Sequence, residues 1–429
     1  MVALPAAARG TRSMMRIVVA VFLLACVLAV APGSAGAQPS VQFGIQDDAW
    51  LEFGPGTLQQ RVAKLDKMGF DAVRVTLGWH EIETNPGRYR WTRSDRLLGA
   101  INARGLRPVV TIWGTPRWVN RGQNPNIAPP DGLEYHFRNF TRTIANRYSY
   151  VDAWVMWNEP NKPTWLNPAS PRTYVQQILN PGYQGIKAAN PRATVAGGVT
   201  APTAGKGGIA PVDFIRLMAL NGAQLDVYAH HPYPVFPGDT PFKGGCKCKT
   251  LTMAELHRLL TFVKRSFPRA RVWLTEYGYQ TNPPDKFGVS QELQARYVGE
   301  AARRVYLASK VDLLIHYLYR DEPNLARWQS GLQNVRGKDK LALKASILPL
   351  AQVSRRGART TLWGQVRPGK GPQRYVLEKS AEGSWVPLGK VARTNARGYL
   401  QRTVLAPKGT KLRLRYPAGK VASPALTVR

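Results

Sequence analysis

Two short apolar segments of the chain each run into a glutamate. Residues 154–157 (WVMW) lead to Asn158 and Glu159 before Pro160, and residues 271–275 (RVWLT) lead to Glu276. Such runs are typical of central strands in a parallel sheet, and a side chain at the carboxyl end of a barrel strand lies where barrel enzymes carry out chemistry. Two carboxylates on separate strand ends are what glycosidic hydrolysis requires. Each glutamate alone could instead cap the following helix, but the pair favours the catalytic interpretation.

Other side chains in or after predicted strands could complete a sugar-binding site. Arg74 lies inside an apolar strand, and because a buried guanidinium needs an anionic partner, we predict that it pairs with Glu276. Trp79, Trp113 and Trp118 follow the second and third strands, where indole rings could stack on sugar faces or simply fill the core.

Two adjacent histidines, His230 and His231, lie at the end of the sixth strand. A metal site would need a third ligand at matching spacing, so we predict none and expect His230 in the core. No organic cofactor is predicted either, because two carboxylates suffice for glycoside hydrolysis.

The elements that must position these residues alternate between strand and helix. Eight strands with intervening helices over residues 38–354 predict a (β/α)₈ barrel of the α/β class. The predicted strands are 41–45, 72–77, 108–113, 154–157, 193–198, 225–230, 271–275 and 311–317. A doubly wound open sheet is the alternative, but no glycine-rich phosphate loop follows the first strand.

The pattern changes after the barrel. Residues 341–353 are apolar enough for a closing helix, and residues 354–357 form a short basic hinge. Short alternating segments separated by glycine and proline clusters then predict a small all-β, immunoglobulin-like sandwich over residues 355–429. Because this part carries no acidic site, we expect it to bind or stabilise rather than catalyse.

Asn158-Glu159-Pro160 and Thr275-Glu276-Tyr277 resemble glycoside hydrolase clan A, whose members are retaining (β/α)₈ enzymes. The wider match at 157–161 (WNEPN) is similar to family 39, which includes β-xylosidases and exopolysaccharide hydrolases, and to the cellulase-like family 5. The resemblance spans residues 41–353.

The resemblance implies a role for each matching position. Glu159 would be the general acid/base, Glu276 the nucleophile, and Asn158 the residue that hydrogen-bonds the sugar 2-hydroxyl. Arg74 matches the arginine beside the nucleophile. The region after strand six lends the nucleophile a tyrosine or histidine, which points to His231 and Tyr233. Strand eight departs from the pattern, because Tyr317 or Tyr319 stands where many members have tryptophan, so either tyrosine is expected to form the subsite floor and the sugar remains open.

The N-terminus predicts export. Three arginines precede the apolar run 17–30, and Ala35-Gly36-Ala37 matches a signal-peptidase site, so residues 1–37 are predicted to be a signal peptide of a secreted protein. The run is too short to be a comfortable membrane anchor. In an oxidising compartment Cys246 and Cys248 could form a small disulfide, and two free thiols are the alternative.

The chain is strongly basic, with a formal net charge of +34. The predicted signal holds three arginines and no acid, so its removal leaves +31. Such a charge draws a protein to anionic glycans or cell-wall surfaces. Nucleic acid is not expected, because no nucleic-acid motif occurs. We expect a monomer whose main partner is a poly- or oligosaccharide.

Three classes of function fit these features. The first is a secreted retaining glycosidase, the second a catalytically silent sugar- or cell-wall-binding protein on a barrel scaffold, and the third an adhesion protein acting through the basic sandwich. The joint presence of Glu159, Glu276, Asn158 and Arg74 favours the first. Neither the linkage nor endo or exo action follows from the sequence.

Overall fold

A computed structural model describes residues 41–245 and 249–429. The predicted signal peptide and the pair Cys246 and Cys248 lie outside the described residues. Among the helices that are described, none is long and apolar enough to span a bilayer.

Eight parallel strands close into a barrel, each pairing with its neighbours along the chain and β8 with β1, which confirms the predicted barrel. The strands are β1 (Gln42–Gln46), β2 (Ala72–Gly78), β3 (Arg107–Trp113), β4 (Ala153–Met156), β5 (Thr194–Thr200), β6 (Val227–His230), β7 (Arg271–Tyr277) and β8 (Val311–Tyr317). Nearly all of their residues are buried, as expected for strands covered on both faces.

Helices form the outer layer of the barrel. They are α1 (Asp48–Phe53), α2 (Leu58–Lys67), α3 (Trp79–Ile82), α4 (Thr92–Ala103), α5 (Tyr135–Arg147), α6 (Pro171–Thr173), α7 (Asn180–Ala189), α8 (Pro211–Leu220), α9 (Leu256–Ser266), α10 (Gln291–Tyr306) and α11 (Leu341–Ile347). A π-helical turn, Tyr174–Leu179, joins α6 to α7, and a 3₁₀ turn, Met253–Glu255, precedes α9. Local capping determines where several of these helices begin. Thr57 and Gln60 form a capping box at the start of α2, and the Ser290 side chain accepts a hydrogen bond from Leu293 N at the start of α10.

The interior of the barrel is filled mainly by small and branched side chains. One buried cluster contains Val109, Val155, Ala196, Leu313 and Ile315, which come from strands around the ring. A layered filling of this kind makes the barrel a packed core with chemistry confined to its mouth.

The C-terminal part consists of antiparallel sheets, which confirms the predicted sandwich-like domain. Its strands are β9 (Leu350–Arg356), β10 (Arg359–Gln365), β11 (Arg374–Ala381), β12 (Ser384–Pro387), β13 (Ala392–Arg393), β14 (Tyr399–Leu405), β15 (Lys411–Tyr416), β16 (Val421–Ala422) and β17 (Leu426–Thr427). The order β14-β10-β9 forms one sheet, and β12-β11-β15-β16 forms the other. A second apolar core, which includes Leu362, Leu377 and Leu414, lies between them.

The junction between the two parts differs from the sequence prediction. The closing helix α11 ends at Ile347, whereas it was expected to reach residue 353. Residues 350–356 form β9 and pair with β10, so the strand runs across the predicted boundary at 354. The physical reason is Pro349, which lacks a backbone N–H and disfavours a helical residue before it, so the helix ends at Ile347 and the residues after the proline pair as a strand.

Candidate active site

The carboxyl ends of the barrel strands surround a groove of about 600 Å³. Its lining includes Glu159 and Glu276 together with Asn158, Trp113 and Tyr317. The predicted site residues on or directly beyond strands β3, β4, β7 and β8 therefore converge on one cavity.

A sharp backbone turn places Glu159 in the groove. Trp157 and Glu159 have φ values of 75° and 36°, a region that non-glycine residues rarely adopt and that concentrates at functional sites. The Trp157 indole fixes the turn, because its ring is buried and Nε1 donates to Trp165 O at 2.7 Å. The strand thus stops abruptly and turns the carboxylate into the mouth.

Glu276, on β7, is held from two sides. Its Oε1 accepts from Arg74 Nη1 at 2.5 Å, and its Oε2 accepts from the Tyr233 hydroxyl at 3.1 Å. The predicted pairing of Arg74 with Glu276 therefore occurs in the structure. Burial raises the pKa of Tyr233 well above its usual value, and the nearby Glu276 charge adds to this effect, so the phenol stays a donor.

Arg74 organises the floor of the groove although it is completely buried. Its Nη2 donates to Asn158 Oδ1 at 3.0 Å, its Nε donates to Thr111 Oγ1 at 2.9 Å, and Nη1 also contacts Gln46 Oε1. Because Asn158 Oδ1 is engaged by Arg74, its amide hydrogens are the groups left to meet a substrate hydroxyl.

His231 lies between the two glutamates. Its Nδ1 is 3.0 Å from Glu159 Oε1 and 3.6 Å from Glu276 Oε2, and its ring is fully buried. Its Nε2 is buried and has no hydrogen-bond partner among the described residues. His230, in contrast, bonds Thr200 Oγ1 and Leu251 O inside the core, as expected.

Opposing effects act on the pKa of Glu159. Burial raises it, whereas the His231 hydrogen bond and the positive charges of His231, Lys162 and Arg74 lower it, and the net pKa lies below its usual value. His231 is therefore the main group that lowers the pKa of this carboxyl.

The two carboxylates are close together. One oxygen of Glu159, one oxygen of Glu276 and a ring nitrogen of His231 all lie within 4.8 Å of one another. Retaining glycosidases place their carboxyl groups about 5–5.5 Å apart, whereas inverting enzymes need about 6.5–9.5 Å to admit a water. The observed spacing fits the retaining arrangement.

The same three groups could in principle bind a metal ion, but their other contacts disfavour it. Arg74 and Tyr233 already engage both oxygens of Glu276. Metal-binding histidines usually donate their second ring nitrogen to a partner, and His231 Nε2 lacks one among the described residues. The donor set suits acid/base and nucleophilic chemistry better than metal binding.

Aromatic rings form opposite walls of the groove. Trp113 packs edge-on against Trp165 on one side, with ring centroids 5.4 Å apart. On the other side, Trp328 stacks on Tyr233 at 4.6 Å and meets Tyr317 edge-on at 5.8 Å. The predicted positions of Trp113 and Tyr317 at the groove therefore agree with the structure, and two rings suited to sugar stacking face the same space.

The structure excludes Trp79 from the groove. Its indole is fully buried, packs against Phe137 at 5.2 Å and donates from Nε1 to Glu83. The prediction of a stacking role for Trp79 is wrong, because α3 begins at this residue and turns the ring towards the helix layer. Trp118 contacts Trp79 and donates to Glu83 O, so it belongs to the same packing cluster.

Several groove residues were not singled out in the sequence. Asp48 and His80 come two residues after the ends of strands β1 and β2, so their position near strand ends could have revealed them. Arg93, Trp165 and Trp328 come from loops or helices well beyond their strands, and no periodicity or motif marks them.

Comparison with known proteins identifies a glycoside hydrolase family. A family model described as cellulase (glycosyl hydrolase family 5) matches residues 34–304, a range that contains both glutamates. No curated protein sequence matches the chain.

Solved structures share the fold at low sequence identity. A family 39 glycoside hydrolase from Bacteroides cellulosilyticus WH2 is 17% identical with a TM-score of 0.59, over 88% of this chain and 81% of that one. A GH39 enzyme from Xanthomonas axonopodis pv. citri is 18% identical with a TM-score of 0.56, over 88% and 93%. Cel5A from Thermotoga maritima, in complex with mannotriose, is 16% identical with a TM-score of 0.51, over 72% and 98%. The two family 39 matches cover more of this chain than the Cel5A match does.

Proposed function

Because this chain belongs to the cellulase family, glycosyl hydrolase family 5, we propose that it hydrolyses β-linked poly- or oligosaccharides with retention of configuration. The observation that carries the proposal is the pair of carboxylates within 4.8 Å, one held by Arg74 and Tyr233 and the other by His231.

In the first step Glu276 attacks the anomeric carbon while Glu159 donates a proton to the departing glycosidic oxygen. The bond to that oxygen breaks, and a covalent glycosyl-enzyme ester forms on Glu276. Arg74 and Tyr233 support this role because both donate to the Glu276 carboxylate and keep it oriented towards the groove.

In the second step Glu159, now a carboxylate, takes a proton from water, and the resulting hydroxide attacks the anomeric carbon and releases Glu276. The amide group of Asn158 is placed to hydrogen-bond the sugar 2-hydroxyl, because its oxygen is already bound by Arg74. For the first step Glu159 must carry a proton, although its pKa in the free protein is low. We propose that bound substrate excludes water from the groove and so strengthens the burial effect that raises this pKa.

The charges in the groove favour a neutral sugar at the cleavage point. The lining contains four carboxylates, which belong to Asp48, Glu81, Glu159 and Glu276. Of its two guanidinium groups, Arg93 is paired with Glu52, and Arg327 lies 3.7 Å from Glu322. An anionic sugar would find no guanidinium here that lacks a carboxylate neighbour. We therefore propose that secretion and the +31 charge bring the protein to an anionic surface, while the groove cleaves a neutral glycan.

Reducing-end release from a panel of neutral and acidic polysaccharides, with the mature protein and Glu276→Ala, tests the proposal. We expect release from a neutral polymer that disappears in the variant, and NMR of the first-formed product should show the anomeric configuration of the substrate. Release that survives Glu276→Ala would refute the assignment of the nucleophile. Binding without release on every polymer would favour a silent sugar-binding protein.

A further inference from the structure

A second pocket, of about 280 Å³, opens at the mouth of the barrel beside the catalytic groove. Its walls are the segment after β1, with Asp47, Trp50 and Phe53, and the segment after β8, with Arg320, Glu322 and Val335. None of these residues takes part in the mechanism proposed above.

The pocket presents apolar surface to solvent. The Phe53 side chain is 84% exposed, and Val335, on the opposite wall, is 42% exposed. A single exposed apolar side chain needs no explanation, but two that face one concave pocket indicate a surface that binds something.

The segment that carries Phe53 is rigid. The buried Arg61 donates from Nε to Leu51 O at 2.9 Å, from Nη1 to Gly54 O at 2.6 Å and from Nη2 to Glu52 O at 3.2 Å. The backbone on both sides of Phe53 is therefore held in place by hydrogen bonds. Less conformational entropy is lost when a ligand binds to the phenyl ring.

The two walls of the pocket are tied together. Asp47 Oδ1 accepts from Trp50 N and caps α1, while Oδ2 accepts from Arg320 N at 2.9 Å in the segment after β8. One carboxylate therefore joins both walls.

The pocket continues the catalytic groove along the same segments. Gln46 and Asp48 line the groove, whereas Asp47 lines the pocket. Glu52, next to Phe53, forms an ion pair with Arg93, which also lines the groove. A polysaccharide that leaves the groove across the ends of β8 and β1 therefore reaches this pocket next.

The position in the barrel fixes which end of a substrate arrives there. β4, after which Glu159 follows, lies across the closed barrel from β8. Because Glu159 would protonate the departing sugar, the leaving part lies on the β4 side, and the part that is retained on Glu276 extends towards β8 and β1.

We infer that this pocket is a distal subsite for a neutral sugar on the non-reducing side of the cleaved bond. The inference rests on the proposed function. The Phe53 ring stacks on the C–H face of the sugar, and the Glu322 carboxylate accepts from its hydroxyls. A uronic acid fits poorly, because the carboxylates of Asp47 and Glu322 line the pocket together with one guanidinium, Arg320, which is itself bonded to Val335 O.

The test compares Phe53→Ala with Phe287→Ala, a phenylalanine that is 67% exposed and lies outside both the groove and the pocket. The substrates are β-1,4-linked gluco-, manno- and xylo-oligosaccharides of two to six units and the 4-nitrophenyl glycosides of the same three sugars. Loss of one aromatic stacking contact corresponds to about a three- to tenfold change. We expect Phe53→Ala to lower kcat/KM by this factor on the longest oligosaccharide, mainly through KM, and to leave the nitrophenyl glycoside unaffected. Phe53→Trp should restore the wild-type value, and Phe287→Ala should match the wild type throughout.

Calorimetric titration of the same oligosaccharides into Glu276→Gln, with and without Phe53→Ala, separates this inference from the proposed function. Tighter binding of the long oligosaccharide that requires Phe53 would support the subsite even if no glycan is hydrolysed. Equal kinetics or equal binding with and without Phe53, a matching loss in Phe287→Ala, or no binding of any oligosaccharide would overturn it.

Discussion

At the scale of single residues, the pKa of Glu159 depends on His231. Burial raises this pKa, and the hydrogen bond and charge of His231 lower it. A general acid must be protonated, so activity is lost as pH rises through its pKa. Replacing His231 with leucine removes the lowering effects and leaves burial, so the alkaline limb of the kcat/KM profile should move to higher pH.

The control for this prediction is Tyr233→Phe. Its hydroxyl contacts Glu276 and not Glu159, so the alkaline limb should stay at the wild-type pH even if the rate falls. An alkaline limb that stays in place or moves to lower pH in His231→Leu would show that His231 does not set the pKa of Glu159.

Arg74 offers a test of geometry at constant charge. Its guanidinium donates hydrogen bonds to Glu276, Asn158 and Thr111 from three different nitrogens, and a lysine ammonium cannot reach all three acceptors. Arg74→Lys should lower kcat/KM about ten- to hundredfold, since a hydrogen bond to a charged group contributes about 1.5–3 kcal/mol. Arg107→Lys, at the amino-terminal end of β3, should keep wild-type kinetics. Equal kinetics for wild type and Arg74→Lys would contradict the prediction.

The sequence predicted the placement of Glu159, Glu276 and Arg74 at the site because each carries a local signal. A glutamate after an apolar strand must lie at the barrel mouth, and an arginine inside such a strand must find a carboxylate. Trp79 carried the same signal, but the prediction for it was wrong. Position at a strand end does not determine whether the following turn directs a ring outwards or into the helix layer. Trp328 gave no signal, because it reaches the groove through a loop whose path depends on tertiary contacts.

At the scale of elements, the loop after β8 is held by a buried ion pair. Lys340 Nζ donates to Asp321 Oδ1 at 2.7 Å, to Thr281 Oγ1 at 2.8 Å and to Gln329 O at 2.9 Å. The loop between Asp321 and Lys340 carries Trp328 onto Tyr233, so the ion pair positions a wall of the groove.

We expect Lys340→Met to loosen this wall. Removing one partner of a buried ion pair costs about 3–5 kcal/mol because the other charge is left unpaired. The variant should unfold at lower temperature and show a raised KM, with increased proteolytic cleavage between residues 321 and 340. Lys338→Met, an exposed neighbour, should change neither property. A destabilised variant with wild-type KM would show that the pair supports the fold without positioning Trp328.

Element prediction failed mainly at the junction of the two parts. Residues 341–353 form one apolar run, although Pro349 within it marks the end of the helix, because proline cannot donate a helical hydrogen bond and disfavours a helical residue before it. The strand is revealed only by its partner, since Leu350–Arg356 pairs with Arg359–Gln365. Long-range pairing of this kind is absent from any local pattern.

At the scale of the whole molecule, the sandwich is packed against the barrel and is not an independent module. Trp363 of β10 is 2% exposed and lies 5.3 Å from Tyr306 of α10 and 5.8 Å from Tyr399. Arg367 lies over the ring of Phe43 in β1 at 3.9 Å, and burial lowers its pKa to about 10. Deleting residues 355–429 would therefore cut β9 and expose this interface, so point substitutions are better tests of the sandwich.

Trp363→Ala should destabilise barrel and sandwich together. Truncation of a buried tryptophan costs about 3–5 kcal/mol, and the shared interface predicts one calorimetric transition at a lower temperature, with activity lost in the same transition. Trp385→Ala, on a strand without barrel pairing, removes an indole of which one face is covered by Arg413 and should have a smaller effect. Two separate transitions in the variant, with the barrel unchanged, would contradict the coupling.

A group of basic residues lies at one end of the sandwich. Residues 355–429 contain 17 Lys and Arg but two acids, Glu378 and Glu382. Arg355, Arg356 and Arg359 lie at the β9–β10 hairpin, and exposed Lys408 and Lys411 follow β14 at the same end, where Arg359 pairs with Leu405. We call these five residues the basic tip.

We expect the basic tip to attach the protein to an anionic polysaccharide while the groove cleaves a neutral one. Each cation near an anionic surface contributes about 1 kcal/mol, so replacing Arg355, Arg356 and Arg359 with glutamine should weaken binding to immobilised polygalacturonate by about a hundredfold. The matched control replaces Arg374, Arg393 and Arg397, at the other end of the sandwich, and changes the net charge equally. If binding depends on net charge alone, both triple variants will lose the same amount of affinity, and the affinity of each will decrease equally as the salt concentration rises. Only a larger loss in the tip variant, with hydrolysis of the neutral substrate unchanged, would place attachment at the basic tip and catalysis in the groove.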